Sequence, residues 1–460
     1  MMTLAEVAAW TGGKRHGDAR IGAIATDTRQ LRPGSLFVAL RGPRFDGHRF
    51  LGDAAAAGAA AALVEPGGAG EAEDLPRVEV VDTGRALLDL ARQWRLGSAA
   101  RLVAITGSCG KTTVKDLTAA ALGGGPGGDP GAVLATPGNW NNTVGVPLTL
   151  FGLGERHRFA AVEVGINRPG EMDLLAATVR PQVAVITNAG PAHLEGLGSM
   201  AAVAAEKGRL LAGLDAEGVA VINADSPFAA EWAATAPGAV VRFGLDAPAD
   251  IRGEWQAEGS GGRLWVRTPG GDAGVRLALP GRHNAANALA ALAAAYALGV
   301  PVAQAASALE AVGPAAGRLE IRRGPGGMTV LDDTYNANPT SLEAALEVLA
   351  AGAAGTGRRW VVLGDMGELG AEGAAWHARA GEAARTRGAD RLIAVGELAA
   401  SAAEAFGAGG RAVADWREAA ALLGQEAGGD DRVLVKGSRS MRLERLVSRL
   451  MEGETEGTGG

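Results

Sequence analysis

Short runs of aliphatic and β-branched residues recur along this chain, each followed by a Gly-rich turn and then an Ala-rich stretch. Up to about residue 98 the apolar runs Gly34 to Leu40, Ala60 to Glu65 and Val78 to Val81 alternate with Ala-rich segments, the pattern of a small α/β unit. The pattern restarts at Arg101. The run Leu102-Val-Ala-Ile-Thr106 has the length and branching of a buried strand, and it passes through a Gly-rich turn into a helix expected over Thr112 to Leu122. Further strands are expected at Phe159 to Val164 and Val183 to Thr187. Strand, loop and helix in alternation predict a parallel sheet covered on both faces. From Ala247 to Leu279 the pattern changes to short strands with Gly turns, an antiparallel patch; His283 to Leu298 then reads as a helix stopped by Gly299 and Pro301. A second restart near Gly317 brings strands at Met328 to Asp332, Trp360 to Leu363, Arg391 to Val395 and Val433 to Lys436, separated by helices. The chain therefore reads as three α/β domains, 1–98, 99–313 and 314–460, with Pro314 and its small neighbours as a hinge. Gly123 to Gly131 reads as a surface loop, and no internal repeat is present.

Composition sharpens this picture in a few places. The length of 460 residues suits three domains of ordinary size. The 71 Gly are interleaved with Ala, Val and Leu in periodic runs, so they mark tight turns rather than disorder. There are 44 basic against 51 acidic side chains, a net charge of −7, which argues against a nucleic-acid or anionic-membrane surface. The single cysteine, Cys109, excludes an intramolecular disulfide and a Cys-rich metal site. The first residues lack the basic start and apolar core of a secretion signal. No run reaches the roughly 18 apolar residues that span a bilayer. A soluble cytoplasmic protein without membrane insertion is expected, with a frayed tail from Glu452 to Gly460, and nothing demands more than a monomer.

Five segments carry candidate chemistry. Thr106-Gly107-Ser108-Cys109-Gly110-Lys111-Thr112-Thr113 lies between a strand and a helix, where Gly residues turn backbone N–H groups toward an anion. Lys111 adds a point charge and the Thr112 hydroxyl can bind Mg²⁺. The general phosphate-loop pattern wants a Gly where Ile105 stands; the bland alternative is a Gly turn capping an ordinary helix. Glu163 sits at the C-terminal end of a strand, the functional edge of a parallel sheet, though a strand-end Glu is often only a solvated charge. His193 lies beyond another strand end and Lys207 on the following helix; singly, either is more often structural. Asn284 and Asn287 share a helix face and can read a purine edge, with N-capping by Asn284 as the alternative. The loop Leu331-Asp-Asp-Thr-Tyr-Asn-Ala-Asn-Pro-Thr340 is a dense polar cluster, followed by a helix that Thr340 and Glu343 are spaced to cap.

Together these segments resemble the Mur ligase family over nearly the whole chain. The most discriminating stretches are Asn139 to Thr149, Thr187 to Gly198, Asp332 to Pro339, Leu363-Gly-Asp-Met-Gly-Glu-Leu-Gly370 and Val435 to Arg439. The resemblance implies a small α/β UDP-binding domain, a central parallel-sheet P-loop ATPase-like domain and a C-terminal Rossmann-like α/β domain. It implies an ATP-dependent amide ligase of peptidoglycan synthesis acting through an acyl phosphate, its partners a UDP-N-acetylmuramoyl-tripeptide and D-alanyl-D-alanine. By the same resemblance Lys111 holds ATP phosphates within the loop Gly107 to Thr113. Thr112 and Glu163 bind one Mg²⁺ and His193 helps bind a second. Lys207 matches a lysine that the family carbamoylates. Asn284 and Asn287 contact adenine, Asp333 the ribose and Arg318 the γ-phosphate. Thr26-Asp27-Thr28-Arg29 and Arg44-Phe-Asp46-Gly47-His48 resemble UDP-binding loops. Asn142, Thr143, Tyr335, Asn336 and Asn338 complete the substrate residues. Three rivals stand beside this reading: a sibling that adds the third amino acid, a folate polyglutamylating ligase, and an ATP-binding regulatory module without turnover. The first lacks its Asp-Asn-Pro-Arg signature here. The UDP-type first domain argues against the second, and the joint presence of Lys111, Glu163, His193 and Lys207 against the third.

Overall fold

The computed structural model describes residues 2–42, 45–68, 74–124, 128–352 and 357–452. Arg44, part of the Gly123 to Gly131 loop and all but the first residue of the expected tail lie outside them.

Three sheets organise the chain. The first is five-stranded, in the order Lys14–His16, Arg77–Glu79, Ala61–Val64, Ser35–Val38, Ala23–Ala25, parallel except at Lys14–His16. The second is nine-stranded. Its seven parallel strands run Val133–Ala135, Phe159–Glu163, Arg101–Thr106, Val183–Ile186, Val219–Asn223, Ala239–Gly244, Ile251–Glu258. Gly261–Thr268 and Gly271–Leu277 then add antiparallel. The antiparallel patch of the sequence reading is thus an extension of the parallel sheet. The third sheet pairs Glu320–Arg323 antiparallel with Thr329–Asp333, followed by the parallel strands Arg432–Lys436, Arg359–Gly364, Arg391–Val395 and Gly410–Val413.

Alternation along one central strand builds two cores. Val103 and Ile105 face a layer containing the helices Lys111–Gly123 and Arg282–Ala297; Leu102 and Ala104 face the opposite layer, with Met172, Leu175 and Trp232. The helix Arg282–Ala297 is buried nearly all round, including Ala290, Ala291, Ala293, Ala294 and Ala295. A helix enclosed in that way needs small side chains to lie close to its neighbours, which is what its run of Ala provides.

Two helix starts differ from expectation. Pro339–Ala351 is capped by Asn338, whose side chain accepts from Ser341 N while Ser341 returns the bond, so Thr340 and Glu343 do not form the capping box. Pro339 occupies the first helical position, where its missing N–H costs nothing, and this moves the cap two residues earlier, from Thr340 to Asn338. Arg282–Ala297 starts from Gly281 at φ +90°; Asn284 lies inside the helix and donates to Pro280 O, so it is not the cap.

The third unit hangs together on a buried carboxylate. Asp431 accepts from Arg358 N (2.7 Å), Gly428 N (3.0 Å) and Trp360 Nε1 (2.8 Å), with Trp360 fully buried. Removing an acceptor that leaves buried donors unpaired costs about 1–3 kcal/mol per group. Asp431→Ala is therefore expected to lower the denaturation midpoint of this unit substantially, read by tryptophan fluorescence in a urea titration, while leaving ATP binding by the central unit intact.

Candidate active site

The turn between Arg101–Thr106 and Lys111–Gly123 is made by two glycines that tolerate no replacement. Gly110 sits at φ +82°, and a Cβ there would meet Asn287 Oδ1 at 2.3 Å; a Cβ on Gly107 would meet Thr187 Oγ1 at 1.9 Å. The turn is fastened to the segment after the neighbouring strand. Ser108 N donates to Asn188 O (3.1 Å) and Cys109 N to Asn188 Oδ1 (2.9 Å). Thr187 Oγ1 and Asn188 Nδ2 both donate to Cys109 O, and Ser108 Oγ exchanges bonds with Gly190. With the Ser108 and Cys109 N–H groups spent, the loop delivers the uncapped start of the helix Lys111–Gly123, whose first-turn N–H groups make a site for phosphate. Lys111 curls back, its Nζ donating to Gly107 O at 2.8 Å. Thr113 follows in the first helical turn.

Beside the loop, Thr112 Oγ1 donates to Glu163 Oε2 at 2.7 Å, and Asn141 Nδ2 donates to Glu163 Oε1 at 2.6 Å. Glu163 is 2% exposed and its backbone N–H is held by Thr136 Oγ1. Arg318, arriving from the chain that enters the third unit, donates to Thr112 Oγ1 at 2.9 Å and lies 4.0 Å over the Tyr335 ring. One carboxylate and one hydroxyl are a hard-oxygen pair of the kind Mg²⁺ takes when phosphate oxygens supply its other ligands. Among the described residues no group of three or more His, Cys, Asp or Glu side chains could hold a metal.

Lys207 is 1% exposed, and no hydrogen bond to its Nζ is formed among the described residues. Burial, with the charge of Lys111 adding to it, pulls its pKa down to about 7. His193 Nδ1 lies 2.6 Å from Glu368 Oε2 of the third unit, an approach too oblique for a full hydrogen bond.

The polar loop of the third unit is docked onto the same place. Asn338 Oδ1, besides capping its helix, accepts from Cys109 Sγ at 3.2 Å. Asp333 accepts from Leu319 N through Oδ1 and from Lys436 Nζ through Oδ2 at 2.5 Å; Lys436 also donates to Asn336 O. Asn336 Oδ1 accepts from Ala337 N. Asn287 donates to Asn284 Oδ1 and its own oxygen lies against Gly110, so the pair forms a buried strut under the loop.

Direct contacts join Thr112 with Glu163 and Arg318, and Cys109 with Asn338; the turn that carries Cys109, Lys111 and Thr112 brings the two groups together, with Asn287 against Gly110. Among the described residues, the candidates of the first unit carry no contact to that cluster. Asp27 is tied to Arg29 by side-chain and backbone bonds, beside Thr26 and Thr28. Asp46 accepts from His48 N and holds the ring Nδ1 at 2.6 Å, while His48 Nε2 accepts from Glu65 N. Gly47 is buried between them. Asn142 is exposed, with Oδ1 taken by Val144 and Gly145 N–H groups, and Thr143 is half-buried beside it. Sequence reasoning gave no individual role to Asn141, Asn188, Glu368 or Lys436. Each stands inside a stretch singled out by resemblance, but nothing local marks an Asn as the partner of a distant Glu.

Fold and site define an enzyme built on a phosphate-loop sheet with a second α/β unit docked onto its nucleotide edge. Three family models match in chain order: Mur ligase family, catalytic domain, over 20–95; Mur ligase middle domain over 105–295; and Mur ligase, glutamate ligase domain, over 317–439. The UDP-N-acetylmuramoyl-tripeptide–D-alanyl-D-alanine ligase of Escherichia coli is 39% identical, with 99% of each chain covered. A crystal structure of MurF from Acinetobacter baumannii has a TM-score of 0.89 at 33% identity, covering 98% of both chains. A MurF ligase from Thermotoga maritima in complex with ADP has a TM-score of 0.81 at 26% identity, covering 94% of this chain and 97% of that one. The chain belongs to the Mur ligase family, ligases that form carbon–nitrogen bonds with ATP.

Burial of its sulfur pushes the Cys109 thiol pKa up, despite the hydrogen bond to Asn338. Since the thiolate is the nucleophile, alkylation at pH 7 should be slower than for a free thiol and should quicken as pH rises. ATP should protect, and modified protein should lose activity; mass spectrometry of iodoacetamide-treated samples with residual activity measured in parallel checks all three.

Proposed function

We propose that this chain joins D-alanyl-D-alanine to UDP-N-acetylmuramoyl-tripeptide, giving the UDP-linked pentapeptide, ADP and phosphate in peptidoglycan precursor synthesis. The observation that carries the reading is the 3.2 Å contact between Cys109 of the phosphate loop and Asn338 of the third unit's polar loop. It puts the polar loop of the third unit next to the place where a phosphoryl group would be transferred. The likeness to ligases named for this reaction runs the length of the chain.

A carboxylate is a poor acyl donor because it would have to expel oxide. Attack of its oxygen on the γ-phosphorus of ATP breaks the bond to ADP and makes an acyl phosphate. The dipeptide's amine nitrogen then attacks the carbonyl carbon, a proton leaves the nitrogen, and phosphate departs. Lys111 and Arg318 bring positive charge to the transferring group. Asn284 and Asn287 face adenine; each keeps an amide proton beyond its internal bond. Asp333 takes the ribose with the lone pairs that Leu319 and Lys436 leave free. Thr112 and Glu163 would hold one Mg²⁺, and His193 with carbamoylated Lys207 a second, the ions neutralising phosphoryl charge. Lys207 suits that modification because it is buried without a hydrogen-bond partner among the described residues. Its free amine adds to CO₂, forming the N–C bond and losing a proton, which replaces a cation by an oxygen ligand.

In this reading residues 1–98 hold the UDP handle through Thr26 to Arg29 and Asp46 to His48, 99–313 hold ATP, and 314–460 bring the dipeptide. Asn142 and Thr143 face the muramoyl arm, and Tyr335, Asn336 and Asn338 face the dipeptide. One chain supplies every residue named, so a monomer suffices. No helix among the described residues is long and apolar enough to cross a membrane; we place the reaction in the cytoplasm, where ATP is.

Phosphate release from ATP and Mg²⁺ should require both UDP-muramoyl tripeptide and D-alanyl-D-alanine, with the UDP-pentapeptide seen by mass. Turnover only with the UDP-dipeptide and a diamino acid would hand the chain to its sibling. Stripping CO₂ and bicarbonate from the buffer should lower kcat reversibly, and Lys207→Ala should lose both the activity and the bicarbonate response.

A further inference from the structure

We propose that Glu368 is a positioning residue that reaches from the third unit to the His193 ring, fixes the proton on Nδ1 and leaves Nε2 as a metal donor, so that docking of the third unit completes the second cation site. This rests on the two-ion reading given under Proposed function.

The contact is built from both sides. The Glu368 carboxylate lies 2.6 Å from His193 Nδ1, and Glu195 N donates to Glu368 O at 3.1 Å, so side chain and backbone of one residue grip one short segment of the central unit. No hydrogen bond to His193 Nε2 is formed among the described residues. A neutral imidazole has one N–H, and a carboxylate beside Nδ1 holds it there. Metal-binding histidines usually donate their other ring N–H to a carboxylate, and that partner is worth about 10–100-fold in metal affinity. What is unusual is that this carboxylate belongs to another unit of the fold. The approach is oblique, as such bonds often are before the ligand arrives.

Backbone conformation points the same way. His193 (φ +58°) and Glu368 (φ +63°) are two of five non-glycine residues with positive φ among those described. A side chain in that region costs on the order of 1–3 kcal/mol and persists where surrounding structure enforces it, most often at functional sites.

The enforcing structure is visible around Glu368. Met366 N donates to Nε2 of His377, whose Nδ1 lies 2.6 Å from Gly373 O; His377 is fully buried, and burial holds its pKa below the usual histidine value, so the ring is a neutral acceptor. Gly367 N donates to Ser438 Oγ at 2.8 Å, and Asp365 accepts from Ala399 N at 2.7 Å. The segment before Glu368 is thus clamped on three sides by the third unit's own core. The Glu368 side chain stands out of it, about half exposed, with its carboxylate against the His193 ring. A surface carboxylate with no such task would not need a clamped, left-handed base.

The test uses the full chain and two variants, Glu368→Gln and Glu368→Ala, both at a side chain exposed enough to leave folding intact. Free Mn²⁺ is counted by electron paramagnetic resonance against a non-hydrolysable ATP analogue with the UDP-tripeptide bound. The wild type should bind two ions, and both variants should bind the second about 10–100-fold more weakly with the first unchanged. In metal-free samples, nitrogen NMR of labelled histidine should show His193 protonated at Nδ1 in the wild type and shifted toward the Nε2 tautomer in both variants. If the wild type binds two ions and the variants bind both with unchanged affinity, Glu368 has no positioning role. If the wild type binds one ion, the two-ion reading falls and the metal half of this inference with it. An Nε2-protonated His193 in the wild type overturns the proton placement whatever the ion count.

Discussion

The Thr112 hydroxyl is the point on which the site turns. It donates to Glu163 and accepts from Arg318, so one small group joins the phosphate-loop helix, the end of a neighbouring strand and the chain entering the third unit. A hydroxyl can do this because it donates once and accepts twice. Each of its partners is fixed elsewhere. Glu163 is held by Asn141 and Thr136, and Arg318 lies flat on Tyr335. A cation entering at Thr112 and Glu163 would meet oxygens already oriented, and Arg318 stands close enough to share the charge of an arriving phosphate.

Around that point the central and third units are tied by several thin contacts rather than by one apolar interface. Cys109 meets Asn338, His193 meets Glu368, and Thr340 packs against Gly190. Polar contacts of this kind are individually weak, worth about 0.5–1.5 kcal/mol net. Units joined in that way can part to admit substrates and close again, excluding water from a reactive acyl phosphate. Two of these linkages, Cys109 with Asn338 and His193 with Glu368, lie at candidate site residues, so the contacts between the units and the geometry of the site are coupled.

The sequence analysis and the structure agree best where a pattern is local. The strand ending at Thr106, the Gly turn and the helix from Lys111 follow from branching, glycine placement and periodicity in adjacent residues. The position of Ile105, where a general phosphate loop has glycine, is a strand residue buried in the core, so the turn starts at Gly107 instead. Disagreement arises where a local rule competes with a neighbour's constraint. Thr340 and Glu343 have the right spacing for a cap, yet Pro339 already occupies the first helical position and hands the cap to Asn338. Asn338 then serves two elements at once, its own helix and the thiol of the phosphate loop.

Three α/β units, their order, the phosphate loop and the family of the chain were all legible in the linear sequence, because each depends on residues within one turn, one strand or one motif. Tertiary structure alone decided the partners. Nothing local makes Asn141 the support of Glu163, Lys436 the counter-ion of Asp333 across 103 residues of sequence, or Glu368 the neighbour of His193. It also decided which polar atoms of Asn284, Asn287 and His48 are bonded inside the protein. The reason is physical. A periodic pattern states which face of an element is buried, but a hydrogen-bonded pair is chosen by how separate elements pack, and that is settled only when the sheets have assembled and every buried polar group must find an acceptor or donor within about 3 Å.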